Sequence, residues 1–363
     1  MPTELRVALW RVPTIVAGND IEATVLNMIS QYTHEQRLDL LRDGVDQALT
    51  HFGAAPVGTT VINVFVVPEY FFAFSHRLHF VDEHTKDLTV SGLKEISKRG
   101  NTVLFPGTIP WMKTMKKGNA FTSLFQSSRY NRAIDRITKT RELFEPGKND
   151  KSDKPMSVQT IEKARSGKGT GTLYYAQNTA WVMRGGEVLL KYHKRMNGSE
   201  INQADLERMK GNGDSVVWVP GARSGTFTLD NVAFGLEICA EHDGGALQQT
   251  MTGGLADVHV VISATMAVQP DKRGHVRDGG YLLHCDAVNP PSAFQKQGGA
   301  FVLINAGTTS GKNLLSAAEV ATRTQTLRDN AAAKKKADAA RDAQIASMTT
   351  YAGGTINYYS LTV

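Results

Sequence analysis

Residues 61–67 read V-I-N-V-F-V-V, apolar at every position except Asn63. A strand built this way has no polar face to offer water and needs cover on both sides. Comparable runs recur at 5–10 (LRVALW), 102–105 (TVLF), 258–262 (VHVVI) and 301–304 (FVLI). Between the first two such runs, Ile21, Val25, Met28, Ile29, Leu38, Leu41, Val45 and Leu49 fall at spacings of three and four. That is the period of an amphipathic helix, with a break near 31–34. Residues 87–99 read as another helix, closed by Gly100. Buried strands interleaved with amphipathic helices define an α/β protein. Several strands are joined as hairpins: 179–183 to 188–192 across R-G-G, and 225–229 to 232–234 across Asp230 and Asn231. So many antiparallel joints predict two sheets in contact, flanked by helices. A single doubly wound parallel sheet fits less well.

Composition sets outer bounds. A chain of 363 residues, 41% hydrophobic and 21% charged, has the make-up of a soluble globular protein able to bury a large core. No apolar run approaches the roughly 20 residues a bilayer span needs. The first ten residues lack the basic-then-apolar order of a secretory signal. Cys239 and Cys285 are the only cysteines. So few in a chain this size exclude a disulfide framework and predict a reduced, cytoplasmic protein.

The formal charge of +6 is unevenly placed. Residues 113–170 hold 14 Lys/Arg against 6 Asp/Glu, which leaves the rest of the chain slightly acidic. This stretch, 113–172, reads as a basic insertion. A solvated loop with a short helix around 129–141 is the first reading; a lid or oligomer contact and an anion-binding surface are the alternatives. Its aromatics form no recognisable RNA-binding motif, so nucleic acid is not the expected partner. G-K-G-T-G at 167–171 follows no strand and is read as a joint, not a phosphate loop. Residues 316–348 read as a solvated Ala/Lys/Arg-rich helix, followed by a tail of β propensity. The expected division is a domain over 1–315 and a C-terminal helix and tail over 316–363 that serves as an oligomer contact.

Three polar residues each follow a strand. Glu69 comes just after 61–67, Lys194 just after 188–192, and Cys239 at the end of V-A-F-G-L-E-I-C. Strand ends in α/β folds converge on one edge, where sites form. Singly, each has a plain reading: a turn residue, a surface lysine, a small buried hydrophobe. Together they supply a nucleophile, a proton acceptor and a cation for a developing oxyanion. Cys239 also stands between a strand and a helix-like segment expected to run to about 254, where helix N-terminal amides favour a thiolate.

These blocks resemble, in order, those of the carbon–nitrogen hydrolase (nitrilase) superfamily. V-V-P-E at 66–69, followed by Tyr70, is similar to the catalytic-glutamate block in its aliphatic-amidase form. L-F-P-G-T-I-P at 104–110 is similar to the block after the third strand, and N-T-A…Y-H-K at 178–194 to the hairpin ending at the catalytic lysine. G-L-E-I-C-A-E-H at 235–242 resembles the cysteine block, with Ala240 where tryptophan is common. Residues 254–265 and 304–311 look like the closing blocks. The resemblance implies a four-layer αββα sandwich, two mixed sheets flanked by helices. It implies a Glu69–Lys194–Cys239 triad, with the Ala240 amide and Tyr70 beside the substrate, and no cofactor or metal. A second glutamate is implied after the lysine: Glu207 is favoured on its surroundings, and Glu200 fits the amidase spacing. The implied reaction is hydrolysis of a small amide through a cysteine thioester, or of a nitrile. A homodimer or larger homo-oligomer is implied, with no membrane partner. The reading from another class is a binding protein that holds its partner through the basic insertion.

Two further signals are weaker. His76, His79 and His84 lack the cysteine or helix-phased acid that a metal site needs and read as a loop near the site mouth. Cys285, flanked by His284 and Asp286, reads as structural, because adjacent side chains rarely face the same way.

Overall fold

The structure, a computed structural model, describes residues 3–12, 14, 32–73, 80–116, 124–144, 155–166, 171–196, 213–251, 254–313, 325 and 353–363. The first half of the chain runs β1 (Thr3–Arg11), α1 (His34–Phe52), β2 (Thr60–Val66), α2 (Glu83–Ser97), β3 (Thr102–Phe105), β4 (Ile109–Lys116), α3 (Leu124–Phe144), α4 (Met156–Arg165), β5 (Leu173–Arg184) and β6 (Glu187–His193). Then follow β7 (Ser215–Trp218), β8 (Thr226–Leu229), β9 (Val232–Ile238), α5 (Ala240–Gly244), α6 (Ala246–Thr250), β10 (Ala256–Ser263) and α7 (Pro270–Arg273). The last strands are β11 (Val276–Asp286), β12 (Ser292–Gln297), β13 (Ala300–Ile304), β14 (Thr308–Asn313) and β15 (Gly353–Thr362).

Two mixed sheets result. The first runs β14-β15-β1-β2-β3-β5-β4, with β6 and β7 also paired to β5; the second runs β13-β12-β11-β10-β9-β8. Parallel pairs sit at the centre of each: β1 with β2 and β2 with β3, and β10 with both β9 and β11. Antiparallel strands complete the edges, apart from β7, which runs parallel to β5.

Alternation along the central strands explains why their sequences are apolar throughout. Val7 and Leu9, with Val64 and Val66, meet Phe234, Leu236, Ile238, Val258, Val260 and Ile262 in one cluster between the sheets. The alternate residues Ala8, Trp10, Phe65 and Val67 pack outward on Leu41 and Val45 of α1 and Leu93 and Ile96 of α2. Both faces are thus dry. On the far side of the second sheet the described cover is made of short helices, with α5 and α6 against β9 and α7 against β13. The αββα layering follows.

Local chemistry fixes several boundaries. Thr33 caps α1 by accepting from the Gln36 amide while the Gln36 side chain accepts from Thr33, which explains the break read near 31–34. Gly185 and Gly186 turn the β5–β6 hairpin with positive φ, as do Asp230 and Asn231 between β8 and β9.

Four expectations change. The basic insertion is not mainly a loop. α3 extends the expected 129–141 helix at both ends, α4 follows, and Tyr130, Ile137, Val158 and Ile161 pack with Met115, Leu173, Val217 and Val219 in a small core of their own. The helix expected after Cys239 to about 254 is two short helices broken at Gly245, whose φ of 64° and ψ of 42° are left-handed. The tail does not lie apart from the 1–315 unit. β15 pairs with β1 along its length, from Glu4 opposite Thr362 to Arg11 opposite Thr355, and sits between β1 and β14. It closes an edge that a buried strand such as β1 could not leave open. Of 316–348, only Gln325 lies within the described residues. Finally, β4, β11, β12 and β14 have no counterpart in the sequence reading.

Candidate active site

Glu69 follows β2 after Pro68 and is fully buried. Its amide donates to the Ser263 carbonyl (3.3 Å), and its own carbonyl accepts from the Thr14 hydroxyl (2.6 Å). Its Oε1 accepts from Lys194 Nζ at 2.7 Å and from Asn178 Nδ2 at 2.9 Å. Tyr70 holds an unusual φ of 63°, fixed in part by its amide donating to Thr108 Oγ1. Its ring centre lies 5.9 Å from Lys194 Nζ.

Lys194 is 1% exposed. Its backbone is gripped from both sides: its N–H donates to the Asn178 carbonyl (2.8 Å), and its carbonyl accepts from Gly221 (3.2 Å). Asn178 therefore orients both members of the pair, one through its side chain and one through its backbone. An ion pair this dry needs close geometry and extra hydrogen bonds to offset desolvation, and here it has both.

Cys239 ends β9 and precedes α5, with φ 50° and ψ −113°. A non-glycine residue at positive φ is strained and persists only where its surroundings over-determine it. Its amide donates to Ile262 (2.9 Å), and its carbonyl accepts from His242 (2.8 Å). Ile262 and Ser263 are consecutive residues at the end of β10. One holds the cysteine backbone and the next holds Glu69, so β10 is the shared mount. Ala240 opens α5 directly beyond Cys239 and is half-buried. Glu207 and Glu200 lie outside the described residues, as do His76 and His79.

Two buried carboxyls that the sequence reading passed over pin the Cys239 turn. Glu241 Oε2 accepts from the Ile238 amide (2.8 Å), and its Oε1 accepts from Tyr192 Oη (2.9 Å) and the Arg195 amide (2.5 Å). Burial pushes its pKa up to about 7, against the pull of these hydrogen bonds and of Lys194. Glu237 Oε1 accepts from the Leu247 amide (2.6 Å). Its Oε2 accepts from His242 Nδ1 at 2.8 Å and lies 2.9 Å from His259 Nε2. Burial pushes the Glu237 pKa up, but His259 and His242 outweigh it and hold the group down at about 2.

Glu237, His242 and His259 are spaced as metal ligands would be. Their hydrogen bonds assign them otherwise. His242 Nε2 accepts from the Gln269 amide and His259 Nδ1 from the His275 amide, both at 3.2 Å. With those nitrogens accepting, each ring carries a proton on the nitrogen that faces Glu237, where a metal would require a lone pair. Burial, as the largest cause, also lowers the pKa of His259. The cluster braces the Cys239 turn through Glu237, with His259 Nε2 close to the carboxylate but outside hydrogen-bond geometry.

A third network backs Ser263. Its hydroxyl donates to Asp286 Oδ2 (2.6 Å) and lies 2.8 Å from His284 Nε2, and Asp286 Oδ1 accepts the amides of Val288 and Asn289. Cys285 is fully buried between the sheets, with Sγ 3.4 Å from the Trp10 carbonyl, and burial raises its pKa well above the usual thiol range. The sequence signal for these networks was available. Glu237 and His259 are charged or polar residues inside otherwise apolar strands, a position that demands a partner.

No model of a known protein family matches the chain, and no curated protein does. Among solved structures it is similar to Nit3 of Saccharomyces cerevisiae, a member of branch 10 of the nitrilase superfamily, at 14% identity and a TM-score of 0.43, over 83% of this chain and 85% of that one. It is similar to a variant of the Nesterenkonia AN1 amidase of the nitrilase superfamily at 14% identity and a TM-score of 0.41, over 84% and 83%. It is also similar to a glutamine-dependent NAD+ synthetase from Acinetobacter baumannii at 10% identity and a TM-score of 0.42, over 83% of this chain and 43% of that one.

Proposed function

We propose that this protein hydrolyses a non-peptide carbon–nitrogen bond, with an amide as substrate, through a thioester on Cys239. One observation carries the reading. A fully buried Glu69–Lys194 pair at 2.7 Å shares its β10 mount with a cysteine held in strained backbone at a strand-to-helix turn. A core has no use for a dry ion pair and a cysteine in strained backbone on one mount, whereas acyl transfer uses all three.

Glu69 takes the Cys239 thiol proton as the sulfur attacks the amide carbon. The carbonyl π electrons move to oxygen, where the Lys194 ammonium and the Ala240 N–H stabilise them. The oxyanion collapses, the C–N bond breaks, and Glu69 returns its proton to the leaving nitrogen. Ammonia or an amine departs, leaving an acyl thioester. A water then gives a proton to Glu69 and attacks the thioester carbon; the C–S bond breaks, the acid departs, and Glu69 returns the proton to the Cys239 sulfur. Rigid support suits this chemistry, because a displacement of about 1 Å in such a site can cost on the order of 100-fold in rate.

The test is turnover of a panel of small amides by intact protein and by Cys239→Ala. The wild type releases ammonia or amine, and Cys239→Ala does not while melting at the same temperature. Turnover that survives in Cys239→Ala refutes the reading.

A further inference from the structure

One buried carboxylate, Asp286, ties together the two turns on which the Glu69 segment rests. β10 and β11 run parallel and end level, with Ser263 opposite Asp286 in the last pair of the ladder. Asp286 is fully buried. Its Oδ2 accepts from the Ser263 hydroxyl (2.6 Å) and the Met266 amide (3.1 Å), on the turn that leaves β10. Its Oδ1 accepts from the amides of Val288 and Asn289 (both 2.7 Å) and the Asn289 side chain (3.2 Å), on the turn that leaves β11. All these donors are neutral, and among the described residues no lysine or arginine pairs with the group. Two turns can be closed without burying a carboxylate, which is costly to desolvate even when its lone pairs are filled. What the turns hold accounts for it.

Both turns support the site. The Ser263 carbonyl accepts the amides of Glu69 (3.3 Å) and Ala287 (3.2 Å), so the two strand ends and the glutamate share one acceptor. Ala264 and Ala287, the first residues past each strand, form a buried cluster with Tyr70 and Ala73. The Tyr70 ring in turn lies 5.9 Å from Lys194 Nζ. A shift of either turn therefore moves the Glu69 backbone and the floor under Tyr70 together.

Serine, histidine and aspartate are also the residue types of a hydrolytic triad, and their order excludes that use. A triad serine gives its proton to the histidine, whose other nitrogen is held by the aspartate. Here the Ser263 proton goes to Asp286 itself, so His284 Nε2, 2.8 Å from the same oxygen, is the donor. Burial, as the largest cause, lowers the His284 pKa. With no lone pair of His284 turned toward it, the hydroxyl is an anchor and not a nucleophile.

We infer that Asp286 is a positioning residue of the active site, acting through the Ser263 carbonyl on Glu69 and through Ala264 and Ala287 on Tyr70. The inference rests on the catalytic reading above, because it assigns this clamp to that reaction.

Two readouts on full-length protein keep the clamp and the reaction apart. Hydrogen exchange followed by mass spectrometry reads the clamp without substrate. Asp286→Asn sets an NH₂ against the Met266 amide, and peptides covering 67–73 should exchange on the order of tenfold faster while β1 and β2 keep their protection. Steady-state kinetics on small amides read the use of the clamp: kcat falls about tenfold with KM unchanged. Ser263→Ala should do the same, and the double variant should be no slower than the slower single one, since both act through one clamp. Leu283→Ala, in the same strand but facing the core between the sheets, is the control; it lowers the melting temperature and leaves kcat as it was. Unchanged exchange at 67–73 in the clamp variants overturns the inference whatever the turnover. Faster exchange with unchanged kcat overturns the positioning role, as does a loss of kcat that Leu283→Ala shares. Turnover that survives in Cys239→Ala overturns the catalytic reading and with it the positioning role, whereas the exchange result still says whether the clamp exists. Ser263→Ala serves as the readout should Asp286→Asn not fold.

Discussion

Glu241 accepts the backbone N–H of Arg195 at 2.5 Å, and through its other oxygen that of Ile238 at 2.8 Å. One buried carboxyl therefore ties the loop that carries Lys194 to the turn that carries Cys239. Glu241→Gln places an amide NH₂ against a backbone N–H. We expect turnover to fall roughly 10- to 100-fold, the scale of a small misplacement in a pre-organised site. Steady-state kinetics on the variant, alongside circular dichroism showing a retained fold, check this.

The same carboxyl predicts a pH dependence of stability. Its pKa rises from 4.5 to about 7 through burial, so the folded protein holds this proton more tightly than the unfolded chain. Its contribution is full below pH 4.5, declines as pH rises to about 7, and is flat above. The span is on the order of 3 kcal/mol by linkage. Denaturant melts of wild type and Glu241→Gln from pH 4 to 8 should differ by this slope, and parallel curves would contradict it.

Glu237 has the opposite sign. Held at about 2, it stabilises the fold above pH 4.5 and loses that contribution as pH falls toward 2. Glu237→Gln should cost about 3 kcal/mol near neutral pH, the scale of breaking a buried charged network. Because the imidazole lone pairs face backbone amides, dialysis against a chelator should leave the melting temperature and any turnover unchanged. A stoichiometric metal detected by elemental analysis would contradict the brace.

Lys194 and Glu69 form a dry pair, so removing one strands the other. Lys194→Met should destabilise by about 3–5 kcal/mol, whereas the double variant Glu69→Gln/Lys194→Met should recover most of that loss and still lack turnover. Chemical denaturation of the single and double variants measures the coupling.

The parts of the fold that sequence could show are those set by local chemistry. β2 and β10 were legible because continuous apolar runs suit only strands covered on both faces, and the β5–β6 hairpin because two glycines take positive φ there. β11 was not, because its first turn R-D-G-G carries a positive-φ glycine, Gly279, and the register with β10 shifts between Ala256 and Val258. β15 was readable as a strand but not as a neighbour of β1, since that pairing is decided by packing across the whole chain. In the site, Glu69, Lys194 and Cys239 stood out by their place at strand ends. Of the polar groups that hold them, Glu237 and His259 were marked by their place inside apolar strands, whereas a buried glutamate such as Glu241 looks like a surface residue until its donors are known.

Intact-protein mass spectrometry after brief iodoacetamide treatment tests the central claim most directly. The account predicts fast single alkylation at Cys239, slowed by amides that the protein binds, with the buried Cys285 untouched and turnover lost in step. If neither cysteine reacts faster than a free thiol, or turnover survives alkylation of Cys239, the thioester mechanism is wrong.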